Sequence, residues 1–94
     1  MIIVSQDRRQ IINFDKVVSI YVIRDAFSEE KGLENYNIDF ATSDEINFCI
    51  GTYKTKERAK EVLAEIAERY SNWENFLAGQ PQGICSPKYE MPLE

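Results

Sequence analysis

Histidine is absent from the 94 residues. That removes the commonest general base and the commonest metal ligand. It also excludes a Ser-His-Asp or Cys-His site within one chain. Cysteine is scarce: Cys49 lies in an apolar stretch and Cys85 among prolines. Two distant thiols with carboxylates alone do not make a zinc site, and the pair reads as free thiols of a reducing compartment. No apolar run approaches the roughly 18 residues that a membrane span needs. The opening residues, Met1 to Asp7, lack the basic leader and long apolar region of a secretory signal. These gaps predict a cytoplasmic protein with no metal, no cofactor and no membrane partner.

What remains is ordinary globular material, 44% hydrophobic and 29% charged. A chain this short makes one domain with a thin core. Association often stabilises such folds, so a homodimer or higher oligomer is expected. Acidic residues outnumber basic ones, 16 to 11. The resulting net charge of −5 disfavours duplex nucleic acid as a partner.

The patterning predicts an α+β fold. A small antiparallel sheet of four to five strands precedes one long amphipathic helix, with residues 1–79 forming the domain and 80–94 a proline-containing extended tail. Ile2 to Val4 and Gln10 to Phe14 are short strands around the polar turn at residues 6–9. Residues 17–23 are rich in β-branched and aromatic side chains and apolar on both faces, which predicts a central strand. Residues 24–35 are a polar connection. Tyr36, Ile38 and Phe40 alternate with Asn37 and Asp39, and Ile46, Phe48 and Ile50 give the next apolar face. Gly51 among them marks a bulge or a close backbone approach.

Thr55 is a suitable N-cap. Ala59, Val62, Leu63, Ile66, Ala67, Tyr70, Trp73, Phe76 and Leu77 follow at spacings of three and four, one stripe ended by Gly79. Ser71 and Asn72 are where such a helix would kink. The stripe outruns the 17–20 Å of a typical strand. Ile66, Tyr70, Trp73, Phe76 and Leu77 are therefore predicted to meet a second subunit. The tail, carrying Ile84, Tyr89, Met91 and Leu93, is read as disordered or laid across a neighbour.

The feature that departs from local rules is the helix start. Lys54, Lys56, Arg58 and Lys60 crowd it, with Glu57 the sole carboxylate between them. The helix dipole favours acidic residues there, and each misplaced cation costs a few tenths of a kcal/mol. Cations at a helix N-terminus suit an anion, phosphate above all; a solvated charged face is the competing reading. Arg8, Arg9 and Arg24 could add charge, and Phe27 or Tyr53 could stack on a base. The carboxylates Glu29, Glu30, Glu34, Asp39, Asp44 and Glu45 have no companion nucleophile or metal motif, so no catalytic residue and no enzymatic activity are expected.

Two stretches carry a family likeness. Ile3-Val4-Ser5-Gln6-Asp7 with Ile11-Ile12-Asn13-Phe14, and Ile50-Gly51-Thr52-Tyr53-Lys54-Thr55-Lys56-Glu57-Arg58-Ala59 leading into Val62 to Ile66, resemble a family of small proteins of Firmicutes phages and mobile elements. The likeness covers roughly residues 1–70. In layout the chain also looks like the anti-Thoeris sponge proteins, which withhold cyclic nucleotide immune signals; that second likeness rests on architecture. The resemblance implies an anti-defence protein that sequesters a phosphorylated nucleotide without catalysis. The alternatives are an anti-CRISPR-type protein inhibitor acting through acidic loops and the apolar tail, and an accessory subunit.

Overall fold

Short β-branched segments at the start of the chain cannot bury their apolar side chains alone, and each finds a partner distant in sequence. The computed structural model describes residues 1–26, 32, 34–44, 46–80, 83 and 85–94. Six strands appear among them: β1 (Ile2–Val4), β2 (Ile11–Asn13), β3 (Val17–Arg24), β4 (Tyr36–Thr42), β5 (Asn47–Tyr53) and β6 (Lys88–Glu90). A 3-10 turn, η1 (Phe14–Lys16), joins β2 to β3, and a helix, α1 (Lys56–Leu77), follows β5. The fold is α+β, as expected, but its strands form two three-stranded sheets rather than one sheet of four to five.

The first sheet runs β2-β1-β6, the second β3-β4-β5. β1 is antiparallel to β2 and parallel to β6. That parallel pair corrects the reading of the tail. Tyr89 and Met91, 3% and 0% exposed, enter this chain's own core instead of a neighbour's. Alternation along residues 88–91 was the signal, but proline content alone cannot say which strand accepts the segment.

The second correction concerns β3, which is an edge strand with β4 at the centre. Ile20 and Val22 pack against the core, paired with Phe40 and Ile38. Val18 and Ile23 remain 68% and 45% exposed. Apolar composition on both faces thus reflects β propensity here, not burial on both faces. Ile38 and Phe40 are buried as their alternation predicts. Opposite them β5 slips by one residue: Gly51 pairs with Ile38, Cys49 with Asp39, and Ile50 is the extra residue of a bulge.

Both readings of Gly51 hold, since a Cβ there would stand 3.0 Å from the Met91 methyl and 3.1 Å from the Tyr53 ring. Helix α1 packs across the second sheet and buries Ala59, Val62 and Ile66. It is a single helix through Ser71 and Asn72. Gly79, at φ +81°, closes it: its N–H donates to Phe76 O at 3.0 Å and the Gln80 N–H to Asn75 O at 2.8 Å. This is a Schellman arrangement. No helix of the described residues is long and apolar enough to cross a membrane.

Candidate functional site

The stretch Ser5 to Asp7 and the stretch Ile50 to Thr52, far apart in sequence, meet in space. After β1, the Gln6 N–H donates to Ile50 O at 2.8 Å. The Gln6 side-chain amide then pairs with Thr52 like a strand residue: Thr52 N–H donates to Oε1 at 2.7 Å, and Nε2 donates to Thr52 O at 2.9 Å. Ser5, buried, donates its hydroxyl to Asp7 Oδ1 at 2.7 Å and accepts from the Gln10 N–H at 3.1 Å. Asp7 also accepts from the Arg9 N–H at 2.9 Å. These bonds hold the Asp7 carboxyl below its usual range, the Ser5 hydroxyl contributing most. Ser5-Gln6-Asp7 is thus a turn and a clamp on the β5 edge, and Gly51-Thr52 is the surface it clamps.

The clamp brings the start of α1 beside residues 91–94. Four consecutive main-chain oxygens, of residues 91–94, each accept from a different side chain. Arg8 Nη1 donates to Met91 O at 2.9 Å and Tyr53 Oη to Pro92 O at 2.8 Å. Gln6 Nε2 donates to Leu93 O at 3.0 Å and Arg58 Nε to Glu94 O at 3.0 Å. Arg8 takes a left-handed φ of 64° in the turn that aims its guanidinium this way.

A cavity of about 340 Å³ lies here, lined by Thr52, Tyr53, Lys54, Thr55, Arg58, Leu93 and Glu94. A shallower hollow of about 290 Å³ shares Lys54 and Thr55, and adds Lys56, Tyr36, Glu34 and Glu57. Thr55 caps the helix as its sequence position predicts, its hydroxyl accepting from the Arg58 N–H at 3.0 Å.

The predicted ligand residues sort into distinct environments. Lys54 and Lys56 are exposed at the helix start and make no ion pair among the described residues. Arg58 faces the same cavity but also pairs with Glu61 at 3.1 Å. Arg8 is drawn to the same end, on the Met91 carbonyl. Arg9 is exposed in the turn. Arg24 sits at the end of β3 and pairs with Glu34 at 3.1 Å, beside the second hollow rather than the first.

Tyr53 requires a correction. It is 2% exposed, so its ring cannot stack on a base. Burial pushes its hydroxyl up to about 12, against the opposing pull of the Arg58 and Arg8 charges. Phe27, the other predicted stacking ring, lies outside the described residues, as do Glu29, Glu30 and Glu45.

The predicted subunit interface divides in the same manner. Ile66 is 1% exposed within this chain's core, so it is not a surface contact. Tyr70 meets Phe14 edge-on at 4.8 Å and donates to Asp15 Oδ1 at 3.2 Å. Trp73 packs against the core on one side and stacks on Phe76 at 5.3 Å on the other. Phe76 and Leu77 remain 47% and 62% exposed.

A row crosses the second sheet at Tyr21, Asp39 and Cys49, of which the sequence pattern marked Asp39 as an outward position. Asp39 Oδ1 is buried with no hydrogen-bond partner among the described residues. Burial raises the Asp39 carboxyl above its ordinary value, more than its contact with Cys49 lowers it. Cys49 is surface-exposed as a residue, but its thiol is turned inward, donating to Gly51 O at 3.3 Å, and burial raises it too. Both cysteines are free thiols. Among the described residues no cluster of three or more Cys, Asp or Glu side chains could hold a metal ion. Comparison with protein-family models, with curated proteins and with solved structures finds no match.

Proposed function

We propose that this chain is a non-catalytic binding protein that takes a phosphorylated small molecule, of the nucleotide class, in the cavity at the start of α1. One observation carries the reading: Lys54, exposed and without an ion pair among the described residues, stands with the Arg58 guanidinium at a cavity of about 340 Å³ beside a helix N-terminus. That volume falls within the roughly 300–1,000 Å³ of small-ligand sites. Glu94 is the acidic residue of the cavity lining, whereas the neighbouring hollow sets Glu34 and Glu57, whose charges oppose an anion, against Lys54 and Lys56. The resemblance of residues 1–70 to phage and mobile-element proteins supplies the setting, sequestration of a nucleotide immune signal in the host cytoplasm.

Isothermal titration against pyrophosphate, nucleotides, cyclic dinucleotides and cyclic ADP-ribose isomers tests this. We expect one of them to bind, with affinity reduced about tenfold or more in Lys54→Glu and falling with added salt. Absence of heat with every compound would overturn the reading.

A second reading is a protein–protein inhibitor. Tyr89 and Met91 are buried in this chain's own core, which leaves Leu93 as the exposed apolar side chain of the tail among the described residues. The exposed Val18 and Ile23 on the edge strand β3 offer a surface for strand addition in this reading. A stoichiometric host protein retained by the wild-type chain, and lost with Val18→Lys, would favour this reading over the first.

We further propose self-association through the last turn of α1, where Phe76 and Leu77 stay exposed. Sedimentation is expected to show a dimer or larger species, and a monomer at micromolar concentration would count against it.

A further inference from the structure

β3 has a strand neighbour on one side only. It pairs with β4, its Ile20 and Val22 side chains pack on the core, and no strand of the described residues lies along its second edge. The ladder shows which main-chain groups face that edge. Asp25 N–H donates to Asn35 O at 2.9 Å, so these two residues form a hydrogen-bonded pair. Such pairs alternate along an antiparallel ladder, which assigns the main chain of Ile23, Tyr21 and Ser19 to β4 as well. The N–H and C=O of Ile20 and Val22 therefore point away from β4. Thr42 N–H, which donates to Ile46 O on the β5 side, fits the same alternation. Native edge strands are commonly blunted by charge, proline or a bulge. Residues 17–23 carry no charge and no proline, and the irregularity in this ladder lies at its start, between Val17 and Ser19. The regular stretch 19–23 is left open, with Ser19 and Ile23 exposed.

We propose that this edge pairs antiparallel with the same edge of a second copy of the chain, joining two β3-β4-β5 sheets into one continuous sheet about a two-fold axis at Tyr21. The contact is independent of the anion site and of the last turn of α1. The open stretch sets the axis, because its centre is Tyr21. Ile20 then exchanges N–H···O bonds with Val22 of the second copy, and Val22 with Ile20 of the second copy. On the outward face the two Tyr21 side chains stand opposite each other, and Ser19 stands opposite Ile23. Aromatic pairs placed in this way stabilise a sheet. Charge favours a copy of this chain as the occupant. The uncharged stretch does not repel itself, and antiparallel pairing brings Lys16 of one copy to the end where Asp25 of the other lies. Lys16 is exposed and has no ion pair among the described residues. Symmetry favours it too: an isologous contact closes at two copies and leaves no further β3 edge open.

Amide hydrogen exchange on the full ¹⁵N-labelled chain tests the edge. The Ile20 and Val22 amides are expected to exchange about tenfold or more slower than unstructured amides, in line with Tyr21 and Ile23, and to lose that protection on dilution. Rapid exchange of Ile20 and Val22 beside a protected Tyr21 and Ile23 would overturn the pairing, as would protection that dilution leaves unchanged. Disulfide trapping identifies the occupant. Tyr21→Cys, with Cys49→Ser and Cys85→Ser, brings two thiols to the axis, where opposed Cα atoms lie about 4.5 Å apart, within disulfide reach. Oxidation with glutathione disulfide is expected to link most of this variant as dimers and little of Ile23→Cys in the same background, whose thiols stand apart. Equal yields from the two variants would sink the proposed axis. Protected amides without a Tyr21→Cys link would assign the edge to another occupant and rule out the second copy. Adding Phe76→Glu to Tyr21→Cys is expected to leave the link intact, and its loss would mean that the contact runs through α1 instead. Should the cysteine variants fail to fold, amide exchange on the wild-type chain decides the matter.

Discussion

Asp39 shows how a single side chain reports its surroundings. Its alternation with Ile38 and Phe40 places it on the outward face, where a carboxylate ordinarily stays hydrated. The structure instead buries Oδ1 with no hydrogen-bond partner among the described residues, and burial raises the carboxyl above its ordinary value of 3.8. The folded state then holds the Asp39 proton more tightly than the unfolded chain does. Its contribution to stability is greatest below pH 3.8 and is lost as pH rises through the folded value. Asp39→Asn, which cannot ionise, should therefore raise Tm at neutral pH, and the gain should vanish on acidification. Thermal melts of both proteins between pH 3 and 7 check this, and a lower Tm for the variant at pH 7 would contradict it. The pattern of apolar and polar residues announced the facing of Asp39 but not its desolvation, which depends on neighbours from two other strands.

At the scale of elements, α1 was the most legible part of the chain. Its cap at Thr55, its stop at Gly79 and the buried set Ala59, Val62 and Ile66 all follow from side-chain chemistry and a 3.6-residue period. The excess of aromatic residues in its second half was also legible, but not its destination. Part of it is taken by η1, where Phe14 and Asp15 receive Tyr70. Trp73 is half-buried against the core, so Trp73→Ala would disturb the fold as well as any subunit contact. Phe76 is the cleaner probe because it leans on Trp73 and otherwise faces solvent. Phe76→Glu is expected to shift sedimentation towards the monomer with little change in Tm. An unchanged oligomer would place the interface elsewhere.

For the molecule as a whole, the segment after α1 closes the fold. Met91, fully buried, touches the position where Gly51 lacks a side chain, and β6 completes the first sheet beside β1. The first and last strands thus depend on each other. Met91→Ala should cost about 2–5 kcal/mol, the range for emptying a buried site of this size. Urea denaturation measures it, and a loss below about 0.5 kcal/mol, as for an exposed position, would refute a core role for the segment.

By itself, the sequence determined what local chemistry can decide. The α+β class, the helix with both its ends, the free thiols and the special position of Gly51 rest on interactions between residues a few positions apart, or on a residue type alone. The crowding of cations at the start of α1 was equally plain. Tertiary structure decided the rest, because strand order, parallel pairing and burial of a second face depend on partners far along the chain. It made β3 an edge, drew Tyr89 and Met91 inward, took Ile66 and Tyr53 off the surface, and left Lys54 exposed beside an Arg58 whose guanidinium holds residue 94.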